Sequence, residues 1–95
     1  MKVGLSMGTG MGTVVERSTQ KDRFVYTLYL KYDFNVEMYG ISVLDLKKKK
    51  EMSINSITTV ERQGKIFYNV IKDNLVYPEH LKDVIYELIV KSTEV

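Results

Sequence analysis

Apolar residues alternate without a break through Arg23–Tyr32. Phe24, Tyr26, Leu28, Leu30 and Tyr32 hold every even position, while Arg23, Thr27 and Lys31 fall between them. A period of two is the mark of a half-buried strand, and the aromatic content suits one. The period changes across Ser56–Glu61. Beyond it Leu81, Val84, Ile85 and Leu88 recur at helical spacing. The chain therefore reads as a sheet followed by helices, with most apolar residues committed to one core.

Thr13–Ser18 reads as a first strand, Thr19–Asp22 as a polar hairpin loop and Arg23–Tyr32 as a second strand. Asp33–Val36 holds the turn formers Asp33 and Asn35. In the third strand, Glu37–Leu46, Tyr39, Ile41 and Val43 share a face, but Leu44 and Leu46 are apolar where polar residues were due. A bulge near Leu44 or a second apolar face accounts equally for that slip. The run Lys47–Lys50 makes a charged turn, and Glu51–Ile57 returns as a fourth strand through Met52 and Ile54.

Thr58 and Glu61 have capping-box spacing, which predicts a first helix with Thr58 as N-cap, running to about Asp73. Val60, Phe67, Val70 and Ile71 lie near one face of it, with Ile66 at the margin. Gly64 marks either close packing or a weak point. Asn74 is expected as a left-handed C-cap. Pro78 suits the first position of a second helix, with Glu79 and Asp83 near its positive end. The expected fold is α+β: a four-stranded, mostly antiparallel meander followed by two helices packed on one sheet face. The even residues from Phe24 to Tyr32 are expected to face Phe67, Val70, Leu81, Val84, Ile85 and Leu88. Met1–Gly12, with four glycines and no period, reads as a flexible leader, and residues 13–95 as one domain.

The 95 residues hold no cysteine, which removes disulfides, thiolate nucleophiles and cysteine metal sites together and fits a reducing cytoplasm. No apolar run reaches the ~18 residues of a membrane span. The net charge is only +2. Nine basic and six acidic residues through Thr58 leave that half at +3, and Lys47–Lys50 supply much of the excess.

The stretch from Ile57-Thr58-Thr59 through the first helix to Asn74-Leu75-Val76-Tyr77-Pro78-Glu79-His80-Leu81-Lys82-Asp83-Val84-Ile85, with the upstream Tyr39-Gly40-Ile41, resembles a family of small uncharacterised proteins from Gram-positive spore-forming bacteria. The family is classed as a domain of unknown function. The likeness covers roughly Thr13 to Val90. It implies a cytoplasmic bacterial protein and assigns no catalytic or binding residue.

Candidate chemistry is sparse. His80, the single histidine, has Asp83 one helical turn on, yet no second histidine or cysteine accompanies it, so it is read as a non-catalytic, metal-free helix-start residue. Gly8-Thr9-Gly10-Met11-Gly12 lacks the lysine, the preceding strand and the following helix of a phosphate loop. Lys47, Lys48, Lys49 and Lys50 have the charge to contact phosphates but read more simply as a solvated turn. Of the seven tyrosines, Tyr26, Tyr32 and Tyr39 fall on core faces, whereas Tyr68 and Tyr86 sit off their helical stripes as interface candidates. Val25, Tyr29, Leu44 and Leu46 remain over for the outer sheet face. No cofactor is implied. The expected function is a non-enzymatic interaction module: a homodimer or the binder of a protein partner, with no membrane role. The alternative is weak nucleic-acid binding through Lys47–Lys50.

Overall fold

The computed structural model describes residues 11–33 and 36–93. Four strands, β1 (Met11–Lys21), β2 (Phe24–Asp33), β3 (Val36–Asp45) and β4 (Lys50–Thr58), form one antiparallel sheet in chain order. Helix α1 (Glu61–Asp73) follows, then a 3-10 turn (Pro78–His80) that runs directly into α2 (Leu81–Thr93). Both helices pack on the same sheet face, giving the expected α+β domain. Residues 1–10, most of the segment read as a leader, lie outside the described residues.

The second strand carries the core as its alternation requires. Phe24, Tyr26, Leu28 and Leu30 are buried, and Tyr39, Ile41 and Val43 of β3 stand beside them against α1 and α2. β2 and β3 pair in unbroken register from Phe24↔Asp45 to Asp33↔Val36. The bulge entertained near Leu44 is therefore absent, and the slip in alternation is a second face: Leu44 pairs with Val25 while Asp45 points inward. The irregularities fall elsewhere. One lies between Val15 and Arg17 in β1. The other lies in β4, where Thr58 pairs with Tyr39 but Ile54 with Ile41, and Ser56 takes a φ of 58°.

β1 extends to Lys21, so the hairpin turn is Asp22–Arg23 alone rather than Thr19–Asp22, with Asp22 at φ 60°. The helix ends also differ from expectation. Thr58 is the last residue of β4, not the N-cap of α1. Its hydroxyl accepts from the Val60 amide at 3.1 Å and donates to Gln63 Oε1 at 3.5 Å, folding the chain into a short turn before the helix starts. Val60 is the N-cap residue, without side-chain capping, and Glu61 pairs with Lys65 at 2.9 Å instead of reaching back. At the other end Asn74 is the C-cap but is not left-handed (φ −97°). Its amide side chain donates back to the Val70 carbonyl at 2.7 Å, which holds it in the last turn. Leu75 takes the left-handed conformation instead, at φ 50°. Val76 N–H then bonds Ile71 O and Leu75 N–H bonds Lys72 O, the paired closure of a Schellman motif.

Helix α1 lays Gly64, Phe67, Tyr68 and Ile71 on the sheet, a regular i, i+3, i+4, i+7 stripe. Counting only apolar residues misplaced it toward Val60 and Val70 and set Tyr68 outside the core. Tyr68 is instead 1% exposed. Its hydroxyl donates to the Tyr26 carbonyl at 2.9 Å, and the Thr19 hydroxyl oxygen lies 3.0 Å from it. Tyr26, equally buried, donates to the Val76 carbonyl at 3.1 Å. Burial, with Asp22 and Tyr77 nearby, pushes the Tyr26 phenol up to about 12, so it remains a donor throughout the physiological range. Gly64 marks close packing: a Cβ there would lie 3.2 Å from the Tyr39 ring.

Gly40 holds a tighter approach on the opposite face, where the Tyr29 ring lies across it. A Cβ at Gly40 would fall 2.5 Å from Tyr29 Cζ. Gly40→Ala is expected to push that buried ring aside and destabilise by about 1–3 kcal/mol in urea melts. Tyr68→Phe is expected to lose about 1 kcal/mol, since it removes a buried donor from the Tyr26 carbonyl. A neutral Tyr68→Phe variant would show that the hydroxyl contributes nothing across the layer.

Candidate functional site

Strand alternation sends every second residue of the sheet away from the helices. On β1 this face presents Thr13 and Val15, on β2 Val25, Thr27 and Tyr29, on β3 Ser42 and Leu44, and on β4 Glu51 and Ser53. A shallow depression of about 200 Å³ crosses it, lined by Thr13, Val15, Thr27, Tyr29, Ser42, Glu51 and Ser53. Ser42 Oγ donates to the Glu51 carboxylate at 3.0 Å. Tyr29 lies flat along the floor of this face. Its hydroxyl donates to Asn55 Oδ1, with the Ile54 carbonyl 3.4 Å away. Burial, with a smaller contribution from Glu51, raises the Tyr29 phenol above its ordinary value.

The four residues left over for this face have different fates. Tyr29 is 8% exposed and is occupied by Gly40 and Asn55, so it does not project as a free aromatic. Val25 and Leu44 form a directly opposed, half-buried pair. Leu46 lies past the end of β3, exposed, its amide bonded to the Arg23 carbonyl at 2.8 Å. Val15 is 60% exposed, more open than any other apolar residue of the sheet whose exposure is described. The face is thus an apolar strip with hydroxyl groups across it, and Tyr86, 70% exposed, stands far from it on α2.

A second arrangement sits at the end of the sheet where β2 begins and β3 ends. Asp45 continues the inward phase of Tyr39, Ile41 and Val43, so the fold draws a carboxylate into the interior with its side chain 3% exposed. Its Oδ1 accepts from the Lys47 and Lys48 amides at 3.0 and 3.2 Å. Its Oδ2 lies 3.1 Å from Arg23 Nη2. Burial alone would raise this carboxyl. The Lys48 and Lys47 amides and the Arg23 guanidinium outweigh that effect and hold it below the usual carboxylate range. The chain is thereby wound into a fixed turn over residues 46–49, with Lys49 at φ 55°; Lys50, read from the sequence as part of the turn, instead opens β4, and all four lysine side chains are exposed.

Arg23 in turn lies over two rings, 5.0 Å from the Phe24 centroid and 5.3 Å from that of Tyr77. Those two rings are 4.8 Å apart, and His80 stands 6.4 Å beyond Tyr77. Arg23, Asp45 and Tyr77 were not singled out from the sequence. A signal for Asp45 was there: a polar residue in the inward phase immediately before a turn is a turn-closing aspartate. Among the described residues no group of three or more His, Asp or Glu is arranged to hold a metal ion, and no helix is long and apolar enough to cross a membrane.

Residues 8–91 match the family of unknown function DUF6514, and the chain belongs to that family. No curated protein and no solved structure matches it.

Because Asp45 has a lowered pKa when folded, its contribution to stability is complete above the unfolded carboxylate value and disappears as pH falls through the folded one. Stability measured by urea melts is expected to drop as the medium is taken below about pH 4. The drop is expected to be shallower in Asp45→Asn, which is less stable at neutral pH because the Arg23 charge is left unmatched.

Proposed function

We propose that this member of the family is a non-enzymatic interaction module of the bacterial cytoplasm that docks a second copy of itself through the bare face of its sheet. One observation carries the reading. Both helices cover the same side of a four-stranded sheet, and the other side offers Val15, 60% exposed and opposite Tyr29, and farther along β2 the half-buried Val25–Leu44 pair. An antiparallel sheet tolerates one wet face, but isolated polar residues then usually dominate it. Here valine and leucine alternate with threonine and serine, a composition in keeping with non-obligate interfaces, which are about as apolar as ordinary surface. A two-fold pairing uses the same patch twice, so one strip of this kind suffices on each copy. The Tyr29 ring stiffens the middle of the strip over Gly40, which limits the side-chain entropy lost on docking.

The expected outcome is a concentration-dependent dimer in sedimentation or light scattering at micromolar protein. Val15→Lys combined with Leu44→Lys is expected to give monomer at the same concentrations with little change in melting temperature, since both side chains lie outside the core. A chain that stays monomeric throughout, both intact and with residues 1–10 removed, overturns the proposal.

A further inference from the structure

We propose that the corner built from the Lys47–Lys50 run and the Arg23–Tyr77 stack binds single-stranded nucleic acid, the lysines engaging backbone phosphates and the Tyr77 ring a base. This surface lies at the end of the sheet and is independent of the docking face. Three observations converge on it. First, among the described residues none of the four lysine ammonium groups lies within ion-pair distance of a carboxylate, because Asp45, the acid inside the corner, is matched by Arg23. Four adjacent cations are thus left facing solvent, the electrostatic footprint of a phosphate-binding surface.

Second, the turn is held from within. Two of its amides bond the buried Asp45 carboxylate, so the backbone that carries the lysines is ordered before any ligand arrives. An unassisted lysine loop would lose that freedom on binding. Third, the same carboxylate ties the turn to an aromatic platform. Asp45 holds Arg23, Arg23 lies over the Phe24 and Tyr77 rings, and Tyr77 remains 41% exposed at the surface. A partly exposed aromatic ring linked through Arg23 and Asp45 to a row of cations is the pairing that single-stranded binders use, since every unpaired base has a face to stack and every nucleotide a phosphate. A duplex keeps its bases stacked on one another and has none free for the ring. An acidic protein would use the lysines and leave Tyr77 without a role.

Fluorescence anisotropy with labelled oligo-dT and oligo-U tests this on the full chain. Saturable binding is expected at low salt, with log affinity falling against log salt at a slope approaching −2.8 if all four lysines engage, from about 0.7 per phosphate for single strands. Lys48→Ser with Lys49→Ser is expected to reduce that slope by about 1.4. Tyr77→Leu is expected to weaken binding about tenfold at unchanged slope, while Tyr77→Phe keeps it. Circular dichroism melts on each variant confirm the fold, which matters because Tyr77 touches Phe24. Absence of saturable binding at low salt, or affinity unchanged in the lysine double variant, overturns the proposal. So does a polyglutamate peptide or a duplex of equal length bound as tightly as the single strand, or a folded Tyr77→Leu variant that binds like the wild type.

Discussion

Two buried tyrosines fix how the helical layer sits on the sheet. Tyr68 reaches from α1 to the main chain of β2 at Tyr26, and Tyr26 reaches back to the main chain after α1 at Val76. Each places a large ring in the core and ends in a hydroxyl that must find an acceptor there, because an unpaired buried hydroxyl costs on the order of 1–3 kcal/mol. The acceptors are backbone carbonyls at defined points, so the pair sets position as well as energy. Sliding α1 by one turn would strand both hydroxyls. The seat of α1 determines which face of β2 is covered, and hence which face is left bare.

The uncovered face shows what a small domain can do with a second surface. The two helices make one layer on the sheet, and a flat body of 38 × 37 × 19 Å results. Two-layer construction leaves the outer side of the sheet to water. Its centre is nonetheless built. Gly40 has no side chain, and Tyr29 from the neighbouring strand fills that space, reaching across β3 to the Ile54 carbonyl of β4. The same substitution of a neighbour's ring for a missing side chain recurs on the inner face, where Tyr39 lies against Gly64.

Asp45 links stability to surface chemistry. A carboxylate drawn inside must be compensated, and here two amides and one guanidinium do so. The amides belong to the lysine turn and the guanidinium covers Tyr77, so one buried charge organises an exposed cationic and aromatic corner. The lysines were legible in the sequence as a solvated turn; all four are exposed, and the turn takes the first three while Lys50 begins β4. Their setting was not, because Arg23, Asp45 and Tyr77 lie far apart along the chain and meet only when β2, β3 and the 3-10 turn are assembled.

By itself the sequence determined the order and type of the elements. The alternation of Phe24 to Tyr32 and the helical spacing of Leu81 to Leu88 are local properties of the chain, and burial rewards them wherever the core forms. It also set the position of the lysine turn and the start of the second helical segment at Pro78. Helix caps and faces were decided by tertiary structure. Thr58 has capping-box spacing, yet the twist of β4 around Ser56 carries it into the sheet as the last strand residue. Tyr68 looks polar enough for the surface, yet the Tyr26 carbonyl gives its hydroxyl a partner inside. Leu44 fits a bulge or a second face equally well, and only the unbroken pairing with Val25 chooses between them. In each case the deciding contact comes from a residue distant in sequence, so no local pattern carries it.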